Sequence, residues 1–229
     1  FGENNFPYLL DDFELKIIKD SLKENQILII GATRYENNKY YNSLINVTAT
    51  NVTYFDKKIL VPFGEFLPFR DSLTFLESIV GPNNYSKGKI ERIISLSNNI
   101  SFIPVICYEI VFYWKILNKF NNKSNFIVNI TNDFWFGNYL GPYQHFYLTK
   151  IRAAEFNKPI IRVSNNGISA VIDNNGTVLN KIALNKTDNI KHILFFKENN
   201  NFVDFHLILK IYFFIIFILI NLYYLRKNE

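Results

Sequence analysis

The sequence predicts an α/β layered domain followed by one membrane-spanning helix. Strand-like runs rich in Ile, Val, Phe and Tyr interleave with segments of helical spacing over residues 1–200, the pattern of sheets covered by helices. Residues 205–225 then read FHLILKIYFFIIFILINLYYL, an apolar run of about the twenty residues that a bilayer-spanning helix needs, broken by one charge, Lys210. At 229 residues the chain is long enough to bury a full core in one domain, and no linker or internal repeat divides it.

In chain order, Asp11 to Glu24 keeps Leu15, Ile18 and Leu22 at helical spacing, with Asp11 or Asp12 able to cap its start, and predicts a helix. Gln26 to Gly31 is a short β-rich run ended by glycine, and Tyr41 to Thr53 alternates like a strand between Asn-rich turns. Asp56 to Pro68 reads as a loop punctuated by Pro62, Gly64 and Pro68, and Arg92 to Cys107 returns to strand character across a turn at Asn98-Asn99. A helix is expected over Val111 to Phe120, a strand over Asn125 to Ile130 and a loop over Thr131 to Gly137. Gln144 to Asn157 then predicts a helix that stops before Pro159. Ile160 to Val163 and Ser169 to Asp173 read as strands joined through Asn165-Asn166-Gly167, and a tight turn from Asp173 to Thr177 leads to a last strand, Val178 to Ile182.

The run 205–225 lacks the polar face of a buried core helix. Lys210 can snorkel from it, and Tyr223 and Tyr224 suit a membrane interface. Arg226 and Lys227 follow at once, so the positive-inside rule places a short tail, 226–229, in the cytoplasm and the domain of residues 1–200 on the opposite face.

Composition narrows the chemistry. One cysteine excludes an internal disulfide and a CxxC metal site, and His145, His192 and His206 fall in no ligand spacing, so no metal and no cofactor is expected. The net charge of +5 is scattered among asparagines and acids rather than gathered into a patch, which speaks against nucleic acid as a partner. The chain contains no methionine, so it reads as a piece of a longer protein.

The single cysteine, Cys107, ends the apolar run from Ser101 to Ile106 and opens a helix-like stretch. A strand-to-helix turn lifts a side chain clear of the sheet and sets it near the positive end of the helix, where a thiolate is stabilised. Cys107 is therefore a candidate nucleophile, the alternative being a small buried hydrophobe. A cysteine nucleophile needs a base for its proton and a donor for the oxyanion it creates. No histidine lies in a suggestive place. Glu3 and Lys57 stand out instead, although each taken alone is an ordinary surface charge.

Three motifs occur together and in order: Asp56-Lys57-Lys58-Ile59-Leu60-Val61-Pro62-Phe63-Gly64-Glu65, Ile106-Cys107-Tyr108-Glu109, and Asn132-Asp133-Phe134-Trp135-Phe136-Gly137. With them the chain closely resembles the apolipoprotein N-acyltransferase family of the nitrilase, or carbon-nitrogen hydrolase, superfamily. Arg152-Ala153-Ala154-Glu155 and the later Lys158-Pro159-Ile160-Ile161-Arg162 fit the superfamily pattern as well. The resemblance implies a nitrilase-like four-layer α-β-β-α sandwich over residues 1–200, lacking its first strand, ahead of the membrane helix. It carries the general base onto Glu3, the oxyanion-stabilising lysine onto Lys57, three residues before Leu60, and the nucleophile onto Cys107. Glu65 matches a further required acid, or orders Lys57 by a charge-assisted hydrogen bond. Tyr108 and Glu109 match the pair beside the nucleophile, and Trp135 matches a substrate-side aromatic, unless it merely packs. The family usually reads Trp-Pro-Glu where this chain has Phe1-Gly2-Glu3, and it carries an N-terminal bundle of transmembrane helices that is missing here.

The activity so implied moves an acyl chain from a phospholipid donor to the N-terminal amine of a diacylglyceryl-cysteine apolipoprotein, through a cysteine thioester, at the bacterial inner membrane with the catalytic domain on the periplasmic side. Two rivals follow from the same residues: a nitrilase-type amidase that hydrolyses a small C–N bond, and an inactive membrane-anchored fragment.

Overall fold

Two β-sheets, packed face to face, organise the computed structural model, which describes residues 1–5, 9, 12–77, 83–97, 99–116, 124–195, 211–220 and 223. The first sheet is an antiparallel meander of β1 (Ile27–Glu36), β2 (Lys39–Thr48) and β3 (Val52–Asp56). Its first hairpin turns on Asn37 and Asn38, both at positive φ (49° and 59°), the backbone of a two-residue turn that matches strand twist. The second sheet has the order β4 (Ile94–Ser95), β5 (Ser101–Ile106), β6 (Phe126–Asn132), β7 (Ile160–Asn165), β8 (Ser169–Ile172) and β9 (Val178–Ile182). β5, β6 and β7 run parallel and the outer pairs antiparallel. Parallel strands are covered on both faces, which is why β5 and β6 are buried nearly throughout.

Strand alternation sorts these side chains into layers. Leu15, with Ile18 and Leu22 at helical spacing, packs helix α1 (Asp12–Ser21) and its exit turn on Ile30, Ala32, Ile45 and Val47 of the first sheet. The opposite face of that sheet offers Leu44 and Phe55 to Phe102, Ile106, Phe126, Val128 and Ile130 of the second. The far face of the second sheet, with Ile103, Val105, Ile127, Ile160, Ala170 and Ile172, meets Ala153 and Phe156 of a long helix, Leu140–Phe156. The order is helix, sheet, sheet, helix. Each such buried aliphatic or aromatic side chain contributes roughly 1.5–3 kcal/mol of transfer free energy. A four-residue helix, α2 (Tyr113–Ile116), precedes the long one, which is α3. Pro142 lies in the first turn of α3, where its missing N–H costs no bond, and Asn157 closes the helix in the left-handed conformation.

Several expected elements are redrawn. The predicted strand Tyr41 to Thr53 is two, β2 and β3, because the chain reverses between Thr48 and Val52, where Asn51 accepts at its carbonyl from the Thr48 N–H and hydroxyl. Gly31 does not end its strand but lies inside β1. The helix expected over Val111 to Phe120 is a 3-10 turn, Cys107–Val111, followed by α2, with 117–120 outside the described residues. The loop from Thr131 contributes Thr131 and Asn132 to β6, and Asp133–Phe136 forms a 3-10 turn capped by Asn132. In the separate C-terminal unit, residues 211–220 are helical with Phe213, Phe214 and Phe217 exposed. Among the described residues no helix is long and apolar enough to cross a membrane; apart from 211–220 and Tyr223, the predicted span 205–225 and the tail 226–229 lie outside them.

Candidate active site

Glu3, Lys57 and Cys107 converge where the two sheets meet at one end. The segment Phe1–Asn5 runs beside β1, with the Asn5 N–H on the Gly31 carbonyl at 3.0 Å. It passes so close that a Cβ at Gly31 would lie 2.5 Å from the Gly2 carbonyl oxygen and 2.7 Å from the Glu3 Cα. Only glycine admits that approach. Glu3 is thereby turned inward and buried, its Oε2 accepting from the Asn132 N–H at 2.9 Å.

Lys57 follows β3 and is only 1% exposed. Its Nζ donates to Glu3 Oε1 at 3.1 Å and to Glu65 Oε1 at 2.9 Å. Glu65 is tied down in turn, its Oε2 accepting from the Val61 N–H at 2.8 Å. Burial alone would lower the Lys57 pKa, but the charges of Glu3 and Glu65, with the hydrogen bond to Glu65, outweigh it and hold the ammonium well above the ordinary lysine range. Its neighbour Lys58 is half-buried and takes part through its main chain, since its N–H donates to Glu109. Asn42 of β2 joins the group: its Nδ2 donates to both Glu3 Oε1 and Glu65 Oε1 at 2.6 Å, and its carbonyl accepts from the Lys57 N–H at 2.8 Å.

Cys107 follows β5 with φ at +49°, a left-handed conformation that costs a residue with a side chain about 1 kcal/mol or more. Its buried thiol is within hydrogen-bonding reach of Glu3 and of the Thr131 hydroxyl. The expected helix-stabilised thiolate is not what the environment favours. The helix is a single 3-10 turn, and burial together with the Glu3 charge pushes the thiol up to about 12 against the pull of Lys57 and Thr131. Cys107 is thus a protonated thiol beside a carboxylate, an arrangement that suits removal of the proton during an attack by sulfur rather than before it.

Glu109 is fully buried and held below the usual carboxylate range, since the Arg92 guanidinium and the Ile106 N–H outweigh its burial. Tyr108 is half-buried, edge-on to Phe112 with ring centres 5.1 Å apart. Trp135 is 74% exposed on the 3-10 turn after β6, flanked by exposed Phe134, Tyr139 and Leu140, so it does not pack in the core.

A second buried network backs the thiol. Asp133 accepts from Arg162 at 2.7 Å, from His145 Nδ1 at 2.8 Å and from Thr131 at 3.2 Å. Arg162 also donates to Asn129 at 2.7 Å, to Thr149 at 3.0 Å and to the Ile168 carbonyl at 3.2 Å. Gly167 closes over this group; a Cβ there would lie 2.1 Å from Asp133 Oδ2. Burial lowers the His145 pKa against the pull of Asp133 and of the Cys107 main chain, so it is a neutral imidazole, with its Nδ1–H assigned to Asp133 at 2.8 Å. His145 thus stands behind Cys107, contrary to the expectation that no histidine is well placed. Asn42, Arg92, Asp133, His145 and Arg162 were invisible as site residues in the string. Asp133 and Arg162 lie within quoted motifs, and that was the one signal that could have singled them out.

A cavity of about 770 Å³ opens on the other side of the Glu3 main chain, lined by Gly2, Asn5, Ser164, Asn165 and Ser169 but not by Cys107 or Lys57. Among the described residues no group of three or more His, Cys, Asp or Glu side chains could hold a metal ion.

Comparison with known proteins places this arrangement. The carbon-nitrogen hydrolase family model matches residues 4–191. Apolipoprotein N-acyltransferases of Rhizobium leguminosarum bv. trifolii and Brucella melitensis are 38% and 37% identical over 198 and 195 residues, or 81% and 80% of this chain. The chain spans 37% and 36% of the length of these relatives. Among solved structures, a CN-hydrolase superfamily protein of Xanthomonas campestris superimposes with a TM-score of 0.53 at 18% identity, covering 70% of this chain and 60% of that one. A nitrilase-superfamily member of Saccharomyces cerevisiae gives 0.54 at 17%, covering 74% and 60%. The family model matches most of the chain, so this chain, in which a buried Glu, Lys and Cys meet at the end of two packed sheets, is a member of the carbon-nitrogen hydrolase family.

Proposed function

We propose that this chain carries the catalytic domain of an apolipoprotein N-acyltransferase, which moves an acyl chain from a phospholipid to the α-amine of a diacylglyceryl-cysteine at an apolipoprotein N-terminus. The observation that carries the reading is the buried contact of Glu3 with Lys57 beside the Cys107 thiol, in a chain whose named relatives are apolipoprotein N-acyltransferases.

Glu3 takes the thiol proton as the Cys107 sulfur attacks the donor ester carbonyl, and the carbonyl electrons move to oxygen, where Lys57 and main-chain amides hold the charge. Collapse breaks the ester C–O bond. The leaving alkoxide takes the proton from Glu3, which yields a lysophospholipid and an acyl thioester on Cys107. The acceptor amine then attacks the thioester carbonyl and loses a proton to Glu3; collapse expels the thiolate, Glu3 returns the proton to it, and an amide is formed. An amide is more stable than an ester, so no nucleotide is needed. Glu65 keeps Lys57 oriented through both cycles, while Tyr108 and Glu109 fix the turn that bears the sulfur. Trp135 meets the lipid substrate, a role that its exposure supports. Residues 205–225 anchor the domain on the periplasmic side of the inner membrane, where both substrates reside.

The test is the intact mass of the protein after incubation with phosphatidylethanolamine in detergent. A hydroxylamine-labile acyl adduct on Cys107, absent from Cys107→Ala, is expected. A wild-type protein that forms no adduct, or that hydrolyses a small amide instead, overturns the assignment.

A further inference from the structure

We infer that Arg92 is a positioning residue that couples Lys57 to Cys107 through Glu109. The inference rests on the reading above, in which Cys107 is the nucleophile and Lys57 holds the oxyanion.

The two acting groups come from different sheets and are fifty residues apart in sequence, Lys57 after β3 and Cys107 after β5. The Glu109 carboxylate joins their immediate neighbours. Its Oε1 accepts from the N–H of Lys58 at 2.8 Å and of Ile59 at 3.1 Å, the two residues after Lys57. Its Oε2 accepts from the N–H of Ile106 at 3.0 Å, the residue before Cys107. One carboxylate therefore fixes the turn that carries the ammonium and the turn that carries the sulfur.

A carboxylate buried this completely needs a cation to stay ionised, and an ionised, oriented one to hold three amides. Arg92 supplies both. Its fork sits on Glu109, with Nη1 donating to Oε2 at 2.6 Å and Nη2 to Oε1 at 2.7 Å. It also touches each sheet: Nη1 donates to the Pro104 carbonyl of β5 at 2.8 Å, and the guanidinium lies over the Phe55 ring of β3 at 4.8 Å. Among the described residues Arg92 makes no hydrogen bond to Lys57 or Cys107; its effect on them passes through the carboxylate and the main chain. A lysine cannot reproduce the fork, since an ammonium is a point charge without a planar bidentate face.

The test is a double-mutant cycle on the rate at which iodoacetamide alkylates Cys107, a readout that needs no acyl donor. With Lys57→Met, alkylation at neutral pH is expected to slow, since the charge that favours the thiolate is lost. Arg92→Met should slow it by about tenfold, and in the Lys57→Met background should add less than about twofold, because it acts by way of Lys57. Circular dichroism confirms that each variant is folded; if Arg92→Met is not, Arg92→Lys takes its place with a smaller loss and the same non-additivity. Full multiplicative effects, a wild-type alkylation rate in a folded Arg92 variant whose melting temperature alone has dropped, or a wild-type rate in Lys57→Met each overturn the inference. Absence of an acyl adduct in the wild type would sink the acyltransferase reading while leaving this cycle interpretable.

Discussion

Cys107 illustrates how one side chain is set by its surroundings. Burial and the Glu3 charge keep it a thiol, with a pKa near 12. Ultraviolet titration of the chain's one cysteine should therefore show little thiolate until the pH approaches that value. Glu3→Gln should move that titration downward, because a negative neighbour is removed, and yet lower the acylation rate by about 10²- to 10⁴-fold, because the proposed general base is gone. A faster variant would mean that Glu3 acts on charge alone. Asp133 gives the opposite shift. Although burial opposes its ionisation, His145 and Arg162 hold its pKa at about 2 against an ordinary 3.8. A depressed carboxyl contributes stability above its unfolded pKa and loses it as pH falls through the folded one, so about 2 kcal/mol is present above pH 4 and disappears toward pH 2. Asp133→Asn should flatten that part of the acid-unfolding curve. Lys57 and Cys107 stand out in the sequence through motifs of recognisable order, whereas Glu3 lies outside those motifs and comes from the family resemblance; the fold brings the three side chains together. Asn42, Arg92 and His145 do not stand out, because a polar residue destined for burial beside another charge looks the same in a string as one destined for solvent; only the fold supplies the partner.

Among elements, β1 carries the most demanding constraint. Gly31→Ala pushes a methyl into the Glu3 segment and should destabilise the domain by about 1–3 kcal/mol, with a larger proportional loss of acylation. Gly64→Ala is the control: its nearest neighbour is a Val61 methyl at 3.4 Å, and its denaturation midpoint should hardly move. Most strands were legible from apolar alternation and Asn-Gly turns, β8, β9 and the hairpin after Ile172 best of all. The errors fall mostly at turns. The reversal between β2 and β3 has no Gly or Pro to mark it; the 3-10 turn after β5 is held by a tertiary bond from Arg152 to the Ile110 carbonyl, and the one after β6 by a local cap, the Asn132 side chain accepting from the Phe134 N–H, neither of which shows as periodicity. The glycine taken to stop a strand is there for clearance.

For the whole molecule, the α-β-β-α layering followed from the family resemblance, and alternation alone reached only the α/β class. Removing residues 205–229 should leave Cys107 able to react with a water-soluble thioester-forming ester but abolish co-flotation with phospholipid vesicles. Co-flotation that persists would assign membrane attachment to the exposed Phe134, Trp135 and Tyr139 surface instead. The sheets themselves meet through Leu44 and Phe55 on one side and Phe102 and Ile106 on the other. Lys57 belongs to the first sheet and Cys107 to the second, so their separation is a gauge of how far one sheet has slid over the other. A small slip that kept every ladder intact would leave the circular dichroism unchanged and still pull the ammonium off the sulfur. Catalysis should accordingly fade at lower urea than secondary structure does, and truncating Leu44 or Phe102 should widen the gap between the two midpoints.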